Sequence, residues 1–153
     1  MFSPTANDKS LRLLLALSIT HGLTLKGYDI FGAFCNPELN RTVHIRLPDG
    51  RIWRLNKALY GLRDSPKLFY EDVSSLLISK GYRRCDNDPC MFVKKDDRGT
   101  LMAVIHVDDF AIASDSEDMR EELRDILLSK YTVTTNDLND FLGFNIGTMT
   151  TDR

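Results

Sequence analysis

Two adjacent aspartates, Asp108 and Asp109, stand between two apolar, strand-like runs of the sequence, residues 101–107 and 110–113. Strands favour Val and Ile and exclude Asp, and an ionised carboxylate avoids burial unless it is paired or bound to a metal. A local rule broken in this way is typical of a functional site. The alternative is a plain hairpin turn, because Asp is also a turn residue.

A third carboxylate, Asp29, lies in another apolar strand-like segment, residues 24–31. Three aspartates that project from neighbouring antiparallel strands could hold two divalent cations. Such a pair, about 3.5–4 Å apart, stabilises both the attacking and the leaving oxygen of an in-line phosphoryl transfer. Oxygen ligands favour Mg²⁺ or Mn²⁺ over zinc. Spacing alone leaves open whether Asp29 meets Asp108, because that step depends on the fold.

His106 stands two residues before Asp108, and strand alternation predicts that the two side chains project on the same side. A lone histidine is often structural, whereas a position beside a carboxylate favours a functional role. Both interpretations stay open at this point. The three cysteines and three histidines form no zinc-ligand spacing and no CxxC pair, which argues against a zinc site.

The elements that position these residues follow from caps and hydrophobic spacing. Three helices are predicted: one over about 9–21 between Asn7 or Asp8 and Gly22, one from Ser65-Pro66 to Gly81, and one after a capping box of Ser114 and Glu117. Strands are predicted at 24–31, 42–47, 51–55, 90–95, 100–106 and 109–113, and within 131–148. This order favours an α+β fold, an antiparallel sheet with helices packed on one face.

Composition indicates a single globular domain over 1–153, with 42% apolar and 27% charged residues. The longest apolar-rich stretch, residues 11–19, is too short to span a bilayer and lacks the flanks of a secretory signal. We therefore expect an intracellular chain, in cytoplasm or nucleus, without a membrane partner. The net charge is −2, but residues 51–84 carry eight Lys or Arg against three Asp or Glu, and residues 106–153 carry four against eleven.

Four segments of the sequence form motifs that are more specific than composition or spacing. They are Asp29-Ile30-Phe31-Gly32-Ala33-Phe34, the segment from Leu55 to Pro66 that contains Lys57-Ala58-Leu59-Tyr60-Gly61, Asp88-Pro89-Cys90-Met91-Phe92, and His106-Val107-Asp108-Asp109. In this order and with these separations, they resemble the motifs of reverse transcriptases of copia-type long-terminal-repeat retrotransposons. The resemblance covers nearly the whole chain. It implies a polymerase-palm (ferredoxin-like) architecture and an RNA-directed DNA polymerase activity.

The resemblance also implies roles for individual residues. It implies that three aspartates are catalytic and ligate Mg²⁺ or Mn²⁺: Asp29, Asp108 and Asp109. It implies a nucleotide-binding group in which Phe34 rejects a 2′-hydroxyl, made of Gly32, Ala33, Phe34, Tyr60 and Gly61. It implies primer or template contacts by His106, Lys57, Arg63 and Lys67. Two residues depart from the family motifs, since His106 replaces the usual Tyr and Asp64 replaces Gln.

The partners that the resemblance implies are an RNA or DNA template-primer, deoxynucleoside triphosphates and the remaining polyprotein domains. We expect most of the fingers, the thumb and the ribonuclease H domain to be absent from 1–153, and the isolated chain not to extend a primer. Two alternatives stay open. One is an inactive retrotransposon relic with a folded palm, and the other is a non-enzymatic RNA-binding domain, for which the expected aromatic strand motif is missing.

Overall fold

A computed structural model describes residues 3–141 and 144–145, which form three helices and a central antiparallel sheet. The helices are α1 (Asp8–His21), α2 (Ser65–Ser79) and α3 (Glu117–Leu128). The strands are β1 (Thr24–Phe31), β2 (Glu38–Arg46), β3 (Ile52–Lys57), β4 (Arg83–Arg84), β5 (Met91–Asp96), β6 (Gly99–His106), β7 (Asp109–Ser114), β8 (Thr132–Asn136), β9 (Asp140–Phe141) and β10 (Phe144–Asn145). The central sheet has the order β4-β5-β6-β7-β1-β8, while β2–β3 and β9–β10 are separate hairpins. The predicted α+β class is confirmed.

Local sequence signals located most of these elements. The strand predicted at 24–31 is β1, and α1 follows Asn7, whose side chain accepts the Lys9 N–H at 2.9 Å. α1 ends at Gly22, which adopts the left-handed φ of 64° that a glycine tolerates best. Strand β2 begins four residues before the predicted 42–47 and ends one residue earlier, and β3 begins one residue after the predicted start of 51–55 and ends two residues later. The strands predicted within 131–148 correspond to β8, β9 and β10, while residues 142, 143 and 146–148 lie outside the described residues.

The helices cover both faces of the sheet, whereas the sequence predicted them on one face. Helices α2 and α3 pack on the face that carries Ile30, Ile105 and Phe110. Helix α1 packs on the opposite face, through Leu11 and Leu14. The reason is that the central strands β6 and β7 are apolar and buried on both sides, so each side needs a cover. No helix in the described part of the chain is long and apolar enough to cross a membrane.

Two helix starts differ from their predicted caps. The Ser65 hydroxyl does not cap α2 but donates to the Leu59 carbonyl oxygen at 2.7 Å. Helix α3 is capped by Ser116, whose side chain accepts the Met119 N–H at 3.3 Å. Ser114, the predicted cap, is the last residue of β7 and therefore lies outside the helix.

A buried carboxylate anchors α1 to the rest of the molecule. Asp88, only 5% exposed, accepts the Asn7 N–H at 3.1 Å and the Cys90 N–H at 2.8 Å. It also accepts a short hydrogen bond from the Ser10 hydroxyl. A carboxylate at a helix N-terminus is favoured by the free N–H groups and the helix dipole. Asp88 thus joins the first turn of α1 to the loop that leads into β5.

Candidate metal centre

A two-residue turn joins β6 to β7 and carries one of the candidate ligands. Val107 adopts a φ of 59°, in the left-handed region that a β-branched residue rarely enters. The turn is tied to β1, because the Ile30 N–H donates to the Asp108 carbonyl oxygen at 2.9 Å. The surrounding structure thus holds a strained turn in one conformation, as is common at functional sites.

Strand pairing gives His106 a partner that alternation along β6 did not predict. Strand alternation placed His106 on the side of Asp108, but β6 ends at His106 and Asp108 belongs to the turn. The residue opposite His106 is Asp109, the first residue of β7. The His106 ring contacts Phe141 edge-on at 6.4 Å between centroids. Its Nδ1 atom is buried and has no hydrogen-bond partner among the described residues.

The sheet brings the three predicted aspartates together. Asp29 lies directly opposite Asp109 in the antiparallel pairing of β1 with β7, and the tied turn places Asp108 beside them. One carboxylate oxygen from each of the three side chains lies within 4.8 Å of the others. Three clustered carboxylates supply the oxygen ligands that Mg²⁺ and Mn²⁺ prefer, so the donor set fits the implied cations. We name Asp29, Asp108 and Asp109 the acidic triad.

Negative charge accumulates at the acidic triad. The pKa of Asp109 is raised to about 6, first by burial of its carboxyl and then by the charges of Asp108 and Asp29. Every one of these influences favours the protonated form of Asp109. A bound cation has the opposite effect, because it favours the ionised form of all three carboxylates.

We expect Asp109→Asn to stabilise the metal-free protein above pH 6 by about 1 kcal/mol, a modest value because the carboxyl is partly exposed to solvent. The folded protein binds the Asp109 proton more tightly than the unfolded chain, since the pKa rises from 3.8 to about 6. The Asp109 contribution to the free energy of unfolding therefore falls as pH rises through this window, and an uncharged amide removes that loss.

Urea unfolding at pH 4 and pH 8 measures this effect. Asp137→Asn is the matched control, because its pair with Lys26 lowers the pKa of Asp137 and predicts a change of opposite sign at pH 8. An equal gain at both pH values for Asp109→Asn would contradict the electrostatic explanation.

The predicted nucleotide-binding residues lie close to the triad. Gly32 follows β1 with a left-handed φ of 62° and turns the chain into a short 3₁₀ helix, Ala33–Cys35. The Phe34 ring lies 5.1 Å from that of Tyr60 and 6.4 Å from that of Phe69, between centroids. Phe34 also lines an apolar cavity of about 270 Å³ together with Val107, the residue that precedes Asp108.

Tyr60 is the exposed member of this aromatic group. Its ring is 53% exposed, and the next residue, Gly61, has a positive φ of 95°. The pKa of the Tyr60 hydroxyl is raised, first by loss of hydration and then by nearby charges that include Asp108 and Asp29. The hydroxyl therefore lies within electrostatic reach of the triad.

The three cationic side chains that were predicted to contact primer or template differ in their surroundings. Arg63 is exposed, whereas the Lys67 ammonium lies 3.4 Å from the Glu71 carboxylate one helical turn later. Lys57 lines a cleft of mixed charge between the β2–β3 hairpin and α2. Asp64, which departs from the family motif, forms a two-pronged ion pair with Arg41 at 2.8 and 2.9 Å. This pair offsets the negative charge that Asp64 adds to the segment.

Two residues of β1 and β8 that lie on the same face as Asp29 were not predicted from the sequence. Thr134 lies directly opposite Asp29 in the pairing of β1 with β8, and Phe31 follows Asp29 by two positions with 73% of its surface exposed. Alternation along β1 could have placed Phe31 on the face of Asp29. No sequence signal could have placed Thr134 there, because that contact depends on a long-range register.

Residues 1–152 match the reverse transcriptase (RNA-dependent DNA polymerase) family. The retrovirus-related Pol polyprotein from transposon RE2 of Arabidopsis thaliana is 26% identical over 151 residues, which cover 93% of this chain and 10% of that protein. The retrovirus-related Pol polyprotein from transposon TNT 1-94 of Nicotiana tabacum is 26% identical over 81% of this chain and 10% of its own length. The transposon Ty1-MR1 Gag-Pol polyprotein of Saccharomyces cerevisiae is 26% identical over 86% of this chain and 8% of its own. The chain spans about a tenth of the length of these curated relatives.

Proposed function

Because the chain belongs to the reverse transcriptase (RNA-dependent DNA polymerase) family, we propose that it is the catalytic palm of a copia-type retrotransposon polymerase. The observation that carries the proposal is the convergence of Asp29, Asp108 and Asp109, whose oxygens lie within 4.8 Å of one another. In this proposal the chain transfers a deoxynucleotide to a primer 3′-hydroxyl. The hydroxyl oxygen gives its proton to water and bonds to the α-phosphorus, while the bond from the α-phosphorus to the bridging oxygen breaks and pyrophosphate leaves with that electron pair.

The acidic triad would hold two divalent cations. Asp29 and Asp108 would be the principal ligands, and Asp109 would complete the carboxylate cluster. Bound cations of this kind supply charge neutralisation at the attacking and leaving oxygens. The chain's own contribution is positioning. The hydrogen bond from the Ile30 N–H to the Asp108 carbonyl oxygen fixes the turn, and the strand register fixes Asp29 against Asp109.

The aromatic group beside the triad would bind the nucleotide. The backbone at Gly32 and Ala33 would approach the triphosphate, and Tyr60 with Gly61 would border the base and template. Phe34 would lie beneath the sugar and exclude a ribonucleotide by overlap with its 2′-hydroxyl. The contact of Phe34 with Tyr60, and the apolar cavity that Phe34 lines together with Val107, the residue before Asp108, support this arrangement.

The remaining substrates and partners belong to the larger protein. We propose that an RNA or DNA template-primer contacts His106, Arg63, Lys57 and Lys67. The relatives are polyproteins, so fingers, thumb and ribonuclease H segments of the same polyprotein would complete the enzyme around residues 1–153. Reverse transcription of this kind would take place in the cytoplasm or nucleus.

The proposal is tested by replacing the matching segment of an active relative with residues 1–152 of this chain. We expect the chimera to extend a primed RNA template in Mg²⁺. Phe34→Ala in the chimera should lower the preference for deoxyribonucleotides over ribonucleotides by about 10- to 200-fold, the range for one group in a tight pocket. Phe34→Tyr is the matched control, because it keeps the ring and should keep the preference.

The possible outcomes separate the alternatives. If Phe34→Ala reduces both activities equally, Phe34 is a core residue and its role beneath the sugar is wrong. A folded chimera that binds Mn²⁺ but extends no primer would indicate an inactive relic. Nucleic-acid binding that is indifferent to divalent cations and to the triad would favour the RNA-binding alternative.

A further inference from the structure

One row of side chains crosses four strands on one face of the sheet. The pairing registers place His106 opposite Asp109, Asp109 opposite Asp29, and Asp29 opposite Thr134. Directly opposed residues of antiparallel strands share a face, with Cβ atoms about 4.5–5.5 Å apart. Asp29 is therefore flanked by Asp109 on one side and by Thr134 on the other.

The Thr134 hydroxyl is available for a ligand. Thr134 is exposed on the edge strand β8, and its hydroxyl makes no hydrogen bond within the described part of the chain. Its neighbour Val133 points the other way and packs against the core beneath α2 and α3. The register thus fixes the side of the sheet on which the hydroxyl lies, while no internal contact occupies its hydrogen-bonding capacity.

The chemistry of the implied cation calls for a group of this kind. Mg²⁺ and Mn²⁺ prefer six oxygen ligands, and cations held by a few carboxylates keep several waters or take phosphate oxygens. Those oxygens need hydrogen-bonding partners, and outer partners of this kind tune the affinity of a metal site. A hydroxyl serves both cases, because it donates to a phosphate oxygen and accepts from a bound water.

We infer that Thr134 is a positioning residue of the cation site, whose hydroxyl holds an oxygen bound to the cation that Asp29 ligates. That oxygen belongs to a water when only the cation is bound, and to the triphosphate when a nucleotide is also present. The inference rests on the proposed function, since it takes Asp29 as a cation ligand. It adds a fourth residue, from a third segment of the chain, to the three aspartates.

The test measures Mn²⁺ affinity of the full chain from the electron paramagnetic resonance signal of free Mn²⁺. Thr134→Val removes the hydroxyl and keeps the shape and the strand preference, and Thr134→Ser keeps the hydroxyl. Thr132→Val is the matched control, because Thr132 is exposed on the same strand and the same face but lies opposite Phe31.

We expect Thr134→Val to weaken Mn²⁺ binding by about tenfold, the lower end of the range for an outer partner of a metal site. Thr134→Ser and Thr132→Val should stay within about twofold of the wild type, the scatter expected without a lost hydrogen bond. Water-proton relaxation of bound Mn²⁺ should also change in Thr134→Val alone. Urea unfolding of all variants without metal should give equal stabilities, which separates positioning from folding.

Several results would overturn the inference. Unchanged Mn²⁺ affinity in Thr134→Val, equal losses in Thr134→Val and Thr132→Val, or no rescue by Thr134→Ser would exclude a role for this hydroxyl. If Asp29→Asn strongly weakens binding in the same series, the cation site itself stands and only the Thr134 inference fails. A wild-type chain that binds no Mn²⁺ would overturn the cation site and the Thr134 inference together.

Discussion

Asp29→Asn is expected to weaken Mn²⁺ binding to the chain by about 100-fold, which corresponds to roughly 2.7 kcal/mol. The reason is its central position, because Asp29 faces Asp109 within the sheet and shares the cluster with Asp108. An asparagine keeps the size of the side chain but removes one of the negative charges that attract the cation. In the chimera, primer extension should fall by about 10³-fold, as when other preorganised charge stabilisation is removed.

Mn²⁺ titration by electron paramagnetic resonance, with thermal unfolding in Mg²⁺, checks this expectation. Asp108→Asn should behave like Asp29→Asn. Asp137→Asn is the control, because it removes an equal charge from an exposed ion pair outside the triad. Equal weakening by Asp29→Asn and Asp137→Asn would show that general charge, and not ligation, governs the binding.

Asp88→Ala is expected to lower the free energy of unfolding by about 3 kcal/mol, because it leaves three buried or partly buried donors without their acceptor. The donors are the backbone N–H groups of Asn7 and Cys90 and the hydroxyl of Ser10. For a chain of this size, the loss corresponds to a fall in Tm of about 6–12 °C.

Urea and thermal unfolding measure the effect of Asp88→Ala. Asp86→Ala is the matched control, since Asp86 lies two residues earlier and is exposed. Ser10→Ala should cost less than Asp88→Ala, because the carboxylate then keeps its two backbone donors. A similar loss for Asp86→Ala and Asp88→Ala would contradict the anchoring of α1 by Asp88.

The sequence predicted those elements whose ends carry local signals. Asn7 and Gly22 bound α1 because a cap needs only its own few residues, and the alternation of 24–31 is a property of one strand. The cap at Ser116 was missed because the end of β7 at Ser114 is set by pairing with neighbouring strands. The placement of α1 on the second face likewise depends on burial that only the assembled sheet produces.

The residues of the candidate site also divide into those that the sequence predicted and those whose position depends on the fold. Asp108 and Asp109 were found from their conflict with the flanking strands, and Asp29 from its apolar segment and the motif resemblance. Their meeting could not be derived from spacing, since it follows from the β1–β7 register. The same register problem hid Thr134, and it also hid the position of Asp109 opposite His106.

The place of β1 in the sheet has a consequence for how the site assembles along the chain. Its partners β7 and β8 lie far downstream, whereas β5, β6 and β7 pair through short local hairpins. Local hairpins close at a small entropic cost, while insertion of β1 requires closure of a long loop. Residues 101–114 alone therefore contain two carboxylates but no triad. The mutual repulsion of the three charges arises only when distant segments join, and the apolar contacts made in that same step oppose it.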